Sequence, residues 1–279
     1  MREVHVACSP DADDLFMVRA ILLDLIDTGP YRFVVRTEPT DALNRLGETD
    51  DVEVLAISTA WYPRLAHRWR MLPHGGSMGE GYGPVLVARE PMTLDDLRGR
   101  KVAVPGLTTT AWAITRMMVE VEPVVVPITP PERVFETLRS GEVEAAVLIH
   151  EGRLTFAREG FVQVAELGAW WSRATGGLPL PLGANTIRRD LPPADLAAIS
   201  GVLRAAIAHA LEDRDAAIAW LLARGGPLRT ADEVSRYLDM YANQRTLDYG
   251  PDGRAAVEGL LARGAAAGLW QPVEVDWAP

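Results

Sequence analysis

The sequence predicts an α/β protein folded as two lobes. Three observations carry that expectation. Apolar runs of strand length alternate with helical patterns as far as residue 149, the order expected of parallel sheets. The 279 residues exceed the roughly 100–150 of a common single domain. Ala145 to Ile149 is continuously apolar, as a strand buried on both faces would be, and it stops at His150 and Glu151. An imidazole and a carboxylate thus stand at a strand's carboxyl end, the edge where open α/β sheets bind ligands. His150 suits proton transfer near neutral pH. The alternative is that it closes the strand while Glu151 is solvated.

Residues 4–8 (VHVAC) read as the first strand, and Leu15 to Ile26 as a helix behind the acidic turn of Asp11, Asp13 and Asp14. Those acids could ligate a metal, but the Gly and distal Glu of an EF-hand are missing. Capping the helix start, where the dipole favours carboxylates, is the other reading. Strand 31–37, helix 40–47 and strand Val52 to Ser58 follow. Ser58, at a strand end, is a candidate ligand donor or an N-cap. His74 to Pro84 holds five glycines in eleven residues but neither GK[ST] nor GxGxxG, so positive φ angles and close backbone contact are expected there, not a phosphate site.

The strand 84–88 leads into the second lobe. Strand Lys101–Val104 is followed by Thr108, Thr109, Thr110 and Ala111, which open a helix running to Val119. Free amides and hydroxyls at a helix start bind anions, and they also serve as ordinary caps. Strand 124–128, helix 131–139 and strand 145–149 complete a βαβαβ unit. Both the threonine cluster and His150 then lie at carboxyl ends of one sheet. Leu167 to Gly183 reads as irregular, because a Pro-rich stretch does not suit a central strand. Trp170 and Trp171 in it either pack or wall a pocket. Ala184 to Ile187 returns as a strand, and helices are expected over 193–212, 213–224, 230–243 and 251–268. The division is therefore 1–88 plus 184–279 for lobe one and 89–183 for lobe two.

A net charge of −10 argues against a nucleic-acid partner, and means that any anionic ligand must be held by local donors. Cys8 is the only cysteine, which excludes an internal disulfide and a thiolate metal cluster. No metal-ligand spacing such as HExxH occurs, so no metal site is expected. No stretch approaches the ~20 apolar residues of a bilayer span, and MREVHVACSP lacks the regions of a signal peptide. A cytoplasmic protein with no membrane insertion is the expectation.

IHEGR at 149–153, PGLTTTA at 105–111, LGAWW at 167–171 and LPLPLG at 178–183 stand in this order along the chain, apart from PGLTTTA coming first. Arg188-Arg189-Asp190 and Leu247-Asp248, near Tyr241 and Asn243, extend the set. Together they resemble the 1,4-dihydroxy-6-naphthoate synthases of the futalosine route to menaquinone. The resemblance implies a type II periplasmic-binding-protein-like fold with the site in the interlobe cleft. It also implies a lyase, free of metal or organic cofactor, that cleaves cyclic dehypoxanthine futalosine, a small acidic substrate. The family's catalytic histidine matches His150, its ligand-contacting serine Ser58, its Thr-Ala pair Thr110 and Ala111, and an asparagine near the cleft Asn44. On this reading His150 is neutral at rest and acts as general base; Glu151 is a candidate for orienting the imidazole, against which neighbours on an extended chain point to opposite faces.

The chain departs from the family pattern where SPCPND becomes SPDADD at 9–14, and where Glu80 replaces a common basic residue. If those side chains face the cleft, they disfavour an acidic substrate. The alternatives are a non-catalytic solute-binding protein on the same fold and a chorismate dehydratase-like enzyme, against which the IHE motif counts.

Overall fold

The structure, a computed structural model, describes residues 1–49, 52–127 and 132–279. The first sheet opens with β1 (Arg2–Cys8), β2 (Tyr31–Thr37) and β3 (Val54–Ser58), separated by α1 (Ala12–Leu22) and α2 (Thr40–Thr49). β1 lies parallel to both β2 and β3. One turn of helix, α3 (Tyr62–Leu65), leads to β4 (Trp69–Met71) and β5 (Ser77–Gly79). The chain then builds a second sheet from β6 (Val85–Ala88), β7 (Lys101–Val104), α4 (Thr110–Met118), β8 (Glu122–Val125), α5 (Glu132–Ser140) and β9 (Ala145–Leu148). The short α6 (Gly152–Thr155), β10 (Val162–Glu166) and α7 (Leu167–Thr175) follow. β11 (Leu180–Arg188) returns to the first sheet. Helices α8 (Pro193–Glu212), α9 (Arg214–Ala223), α10 (Ala231–Tyr241), α11 (Gln244–Leu247) and α12 (Gly250–Ala266) close the described fold.

The sheet orders are β2-β1-β3-β11-β4, with β5 on β11, and β10-β6-β9-β7-β8. The expected two-lobed α/β architecture is therefore present, with two sheets that each have their own apolar core. β9 is buried along its whole length, as its uninterrupted apolar sequence requires of a strand flanked by β6 and β7.

Several boundaries move. β6 pairs with β9 and β10, so the chain joins the second sheet before residue 88. The stretch 167–183 is not irregular: Leu167 to Thr175 is helical, and β11 already begins at Leu180. Pro181 is tolerated because β11 pairs with β3 only from Gly183 onward, while its register on β5 shifts between Pro181 and Gly183. Trp171 is wholly buried and donates its indole N–H to the Pro179 carbonyl at 2.8 Å, which makes it a packing residue. α1 stops at Leu22, four residues before the expected Ile26. Residue 128, the expected end of a strand, and residue 131, the expected start of a helix, lie outside the described residues.

One expectation is corrected by α8, which is long and apolar enough by length and composition to cross a bilayer. Its Leu196, Ile199, Leu203 and Ala206 are instead buried against Val4 and Val6 of β1 and Ala20 and Ile21 of α1. Arg204, on the opposite face, is exposed.

Candidate active site

Three chain segments converge on one cavity. β3 ends in Ser58, β9 runs into Ile149 and His150, and α4 begins at Thr110, each at a strand's carboxyl end or just beyond it. The space between them encloses about 750 Å³, open mouth included, and is also lined by Asp13 and Asp14 of α1 and by Tyr237 and Tyr241 of α10. His150 has φ 48°, a left-handed conformation uncommon for a side chain of this size. Such a turn typically costs on the order of 1–3 kcal/mol and persists only where the surroundings enforce it. It also breaks the alternation of an extended chain, so Glu151 is not turned away from the imidazole's surroundings as expected. His150 and Ile149 form the wall between this cavity and a second space of about 920 Å³ lined by Asp11, Glu151 and Arg224.

The acidic turn is not a set of helix caps. Asp11 occupies the N-cap position of α1 without a capping side-chain bond. Its Oδ2 lies 3.3 Å from His150 Nδ1. Tyr237 Oη is also 3.3 Å from Nδ1, and its O–H donates to Asp13 Oδ1 at 2.9 Å. Asp14 Oδ2 accepts the Ser9 amide at 2.6 Å. Burial pushes the Asp13 carboxyl above the usual range against the opposing pull of His150. Burial, reinforced by Asp13, raises Asp14 to about 7. Burial lowers the His150 pKa, but the charges of Asp11, Asp13, Glu151 and Asp14 outweigh it and the net shift is upward. The imidazole therefore favours its protonated form more than a free histidine does.

Burial and the nearby Asp11 also raise Glu151 to about 7. A carboxyl with a folded pKa above its unfolded value stabilises the fold at low pH, and that contribution is lost as pH climbs from about 4.5 to about 7. Glu151→Gln is thus expected to raise stability at pH 8 by on the order of 1–2 kcal/mol and to flatten the decline across that window. Thermal melts of both proteins at pH 5 and pH 8 check this; equal differences at the two pH values would sink it.

Asn44 is completely buried and does not line the cavity. Its Oδ1 accepts the Ser58 amide at 2.7 Å, and its Nδ2 donates to Ser58 Oγ at 3.0 Å and Thr108 Oγ1 at 2.8 Å. Thr108 Oγ1 donates in turn to Asp41 Oδ1 at 2.7 Å, so Thr108 too is turned into the joint between α2 and the turn before α4. Thr109 caps α4, accepting the Trp112 amide at 3.2 Å. The Thr110 hydroxyl donates to the Leu182 carbonyl at 2.8 Å and accepts the Ala60 amide at 3.1 Å. The threonine hydroxyls are thus spent within the protein. What α4 still offers a ligand is its first amides, at Thr110 and Ala111, which have no earlier helical carbonyl to bond and belong to residues that line the cavity.

Glu80 is paired with Arg245 at 2.8 Å and is not a lining residue, so its charge does not enter the cavity. The Gly-rich stretch includes positive φ at Gly75 and Gly81. Among the described residues no three His, Cys, Asp or Glu side chains are grouped to hold a metal ion. The sequence reading missed Tyr237 and Asn185, which also lines the cavity. Tyr237 and Tyr241, one turn apart in α10, were the available signal for a site-facing helix.

Residues 4–266 match the family model described as menaquinone biosynthesis. The chain is 34% identical to the 1,4-dihydroxy-6-naphtoate synthase of Streptomyces coelicolor, covering 95% of this chain and 94% of that protein. It is 36% identical to the protein of the same name from Thermus thermophilus, covering 98% and 97%. Protein AF1704 from Archaeoglobus fulgidus superposes with a TM-score of 0.88 at 37% identity, over 96% of this chain and 98% of that one. The alkanesulfonate-binding protein SsuA from Xanthomonas axonopodis pv. citri gives a TM-score of 0.70 at 12% identity over 99% and 96%, which is a likeness of fold alone. With its two sheets in a periplasmic-binding-protein-like arrangement and relatives matched almost end to end, this chain belongs to the menaquinone biosynthesis family.

Proposed function

We propose that this protein is a 1,4-dihydroxy-6-naphthoate synthase, a lyase that breaks a carbon–carbon bond of cyclic dehypoxanthine futalosine with His150 as general base. One observation carries the chemical part of the reading: an imidazole at the cavity wall has Nδ1 engaged by the protein, and among the described residues nothing hydrogen-bonds Nε2. Nε2 takes the proton of a substrate hydroxyl. The O–H electron pair becomes the second bond of a carbonyl as the adjacent carbon–carbon bond breaks. That bond's pair passes to the departing carbon, which regains the proton from the imidazolium, so nothing is oxidised or reduced.

The amides at the start of α4 hold the substrate carboxylate or a developing oxyanion, and Ser58 orients the substrate from the opposite sheet. Asp14, held protonated up to about pH 7, makes the cavity less negative than its sequence suggests, which eases entry of an acidic substrate. Because the His150 pKa is raised, the base is competent on the alkaline side of that value, and the rate rises with pH through it. A cytoplasmic setting belongs to the same proposal.

The test is turnover. Purified protein is incubated with cyclic dehypoxanthine futalosine, and the naphthoate product is sought by mass, with direct binding measured in parallel. Product formation is expected. Binding without product would overturn the lyase in favour of a solute-binding protein, and neither binding nor product would overturn the substrate.

A further inference from the structure

We infer that Asp11 is a positioning residue: supplied by the first sheet's side, it meets His150 across the cleft and fixes the ring as the Nδ1–H tautomer, with Nε2 free to take a proton. The inference rests on the proposed role of His150 as base. The geometry decides the tautomer. Nδ1 has two close neighbours, Asp11 Oδ2 and Tyr237 Oη, each at 3.3 Å. The Tyr237 proton is committed to Asp13 Oδ1, 2.9 Å away, so the phenol oxygen presents lone pairs to the ring. An ionised carboxylate can only accept. With acceptors on both sides, the ring proton belongs on Nδ1; a lone pair there would face two others at short range.

The two neighbours do different work. Tyr237 is itself held by Asp13 and supplies direction without charge. Asp11 supplies direction and a negative charge, which stabilises the imidazolium formed when Nε2 takes the proton. Asp11 precedes α1 on the first sheet, whereas His150 follows β9 on the second. The imidazole is therefore held in its working orientation only when the two sides are together, which couples closure to the readiness of the base. The other groups around the ring are Asp13 and Asp14 of α1, Glu151 in its own turn, Tyr237 and Tyr241 of α10, and Arg224 at the adjoining space. All remain when Asp11 alone is changed.

The experiment compares wild type, Asp11→Asn, Asp11→Ala and Asp11→Glu. The pH profile of kcat/KM is recorded for each, and nitrogen NMR of labelled protein reads the His150 tautomer, its signal assigned by loss in His150→Asn. Asp11→Asn removes the charge, so the acid limb is expected to move about one pH unit lower. Its alkaline plateau of kcat should fall roughly tenfold with KM little changed, a loss of the order seen when partners that orient a histidine are removed. Asp11→Ala should lose more and populate the Nε2–H tautomer, and Asp11→Glu should restore part of both. An active wild type whose acid limb and tautomer are unchanged in Asp11→Asn and Asp11→Ala overturns the inference. An inactive wild type that still shows the Asp11-dependent tautomer overturns the proposed activity and leaves the positioning intact.

Discussion

Substituting His150 by Asn is expected to lower kcat by about 10²–10⁴-fold, the usual worth of a positioned general base. Asn is the informative replacement because it tolerates the left-handed backbone at φ 48°, which Ala does only with strain. Substrate affinity should stay within a few-fold, since the amides of α4 and the Ser58 hydroxyl are untouched. His150→Ala should show the same kinetic loss together with a lower melting temperature. The two variants thereby separate the chemistry of the ring from the conformation of its turn. Steady-state kinetics and melting curves on both proteins check this. Retention of wild-type kcat in His150→Asn would remove the base from the mechanism while leaving the enzyme.

A second large effect is expected at Gly168, which does not itself line the cavity. The Tyr82 carbonyl is wedged between Gly79 of β5 and Gly168 of α7: a Cβ on Gly79 would stand 1.7 Å from that oxygen, and one on Gly168 2.1 Å from it. Both contacts are to backbone, which cannot rotate aside. Nearby, the Gly83 amide donates to Glu166 Oε1 at 2.7 Å and the Leu167 amide to the Pro84 carbonyl at 3.0 Å, so the chain crossing between sheets is tied to α7 on several sides. Gly168→Ala is expected to cost about 3 kcal/mol or more through overpacking. In a chain of this size that corresponds to a fall in Tm of roughly 6–12 °C. Gly201→Ala is the control, because its Cβ would meet nothing within 4 Å and it lies within α8. There the change should be neutral or stabilising by up to about 1 kcal/mol. Equal melting temperatures for Gly168→Ala and wild type would show that the crossing is looser than its contacts indicate.

The strand before His150 was legible because Ala145 to Ile149 is apolar without a break and then stops, a pattern that needs no tertiary information. The limits of α8 at 193 and 212 were legible for a similar reason: Pro193 suits the first helical turn, and Ala-rich sequence runs to Glu212. β11 was read too short because Pro181 argues locally against a strand, and only the pairing shows that its missing N–H falls outside the ladder to β3. The acids at 11, 13 and 14 obeyed the local rule for helix starts. Their turn toward the imidazole depends on where α10 and the turn after β9 come to lie, which no local pattern carries. Asn44 entered by resemblance as a cleft residue, yet its amide is consumed by Ser58 and Thr108. A sequence lists the polar groups available at a site but not which of them the protein uses on itself.

The bonds that Thr108 makes to Asn44 and Asp41 carry one more consequence, for the order of events in a catalytic cycle. Both must break for α2 and the start of α4 to separate, whereas the Asn44–Ser58 contact within the first sheet can survive. At about 1 kcal/mol net apiece, these two bonds by themselves contribute a factor of roughly 30 against separation, beside those that Thr110 makes to Ala60 and Leu182. Loss of these bonds therefore favours the separated arrangement, so Thr108 tunes how readily the mouth of the cavity widens to admit substrate and release product.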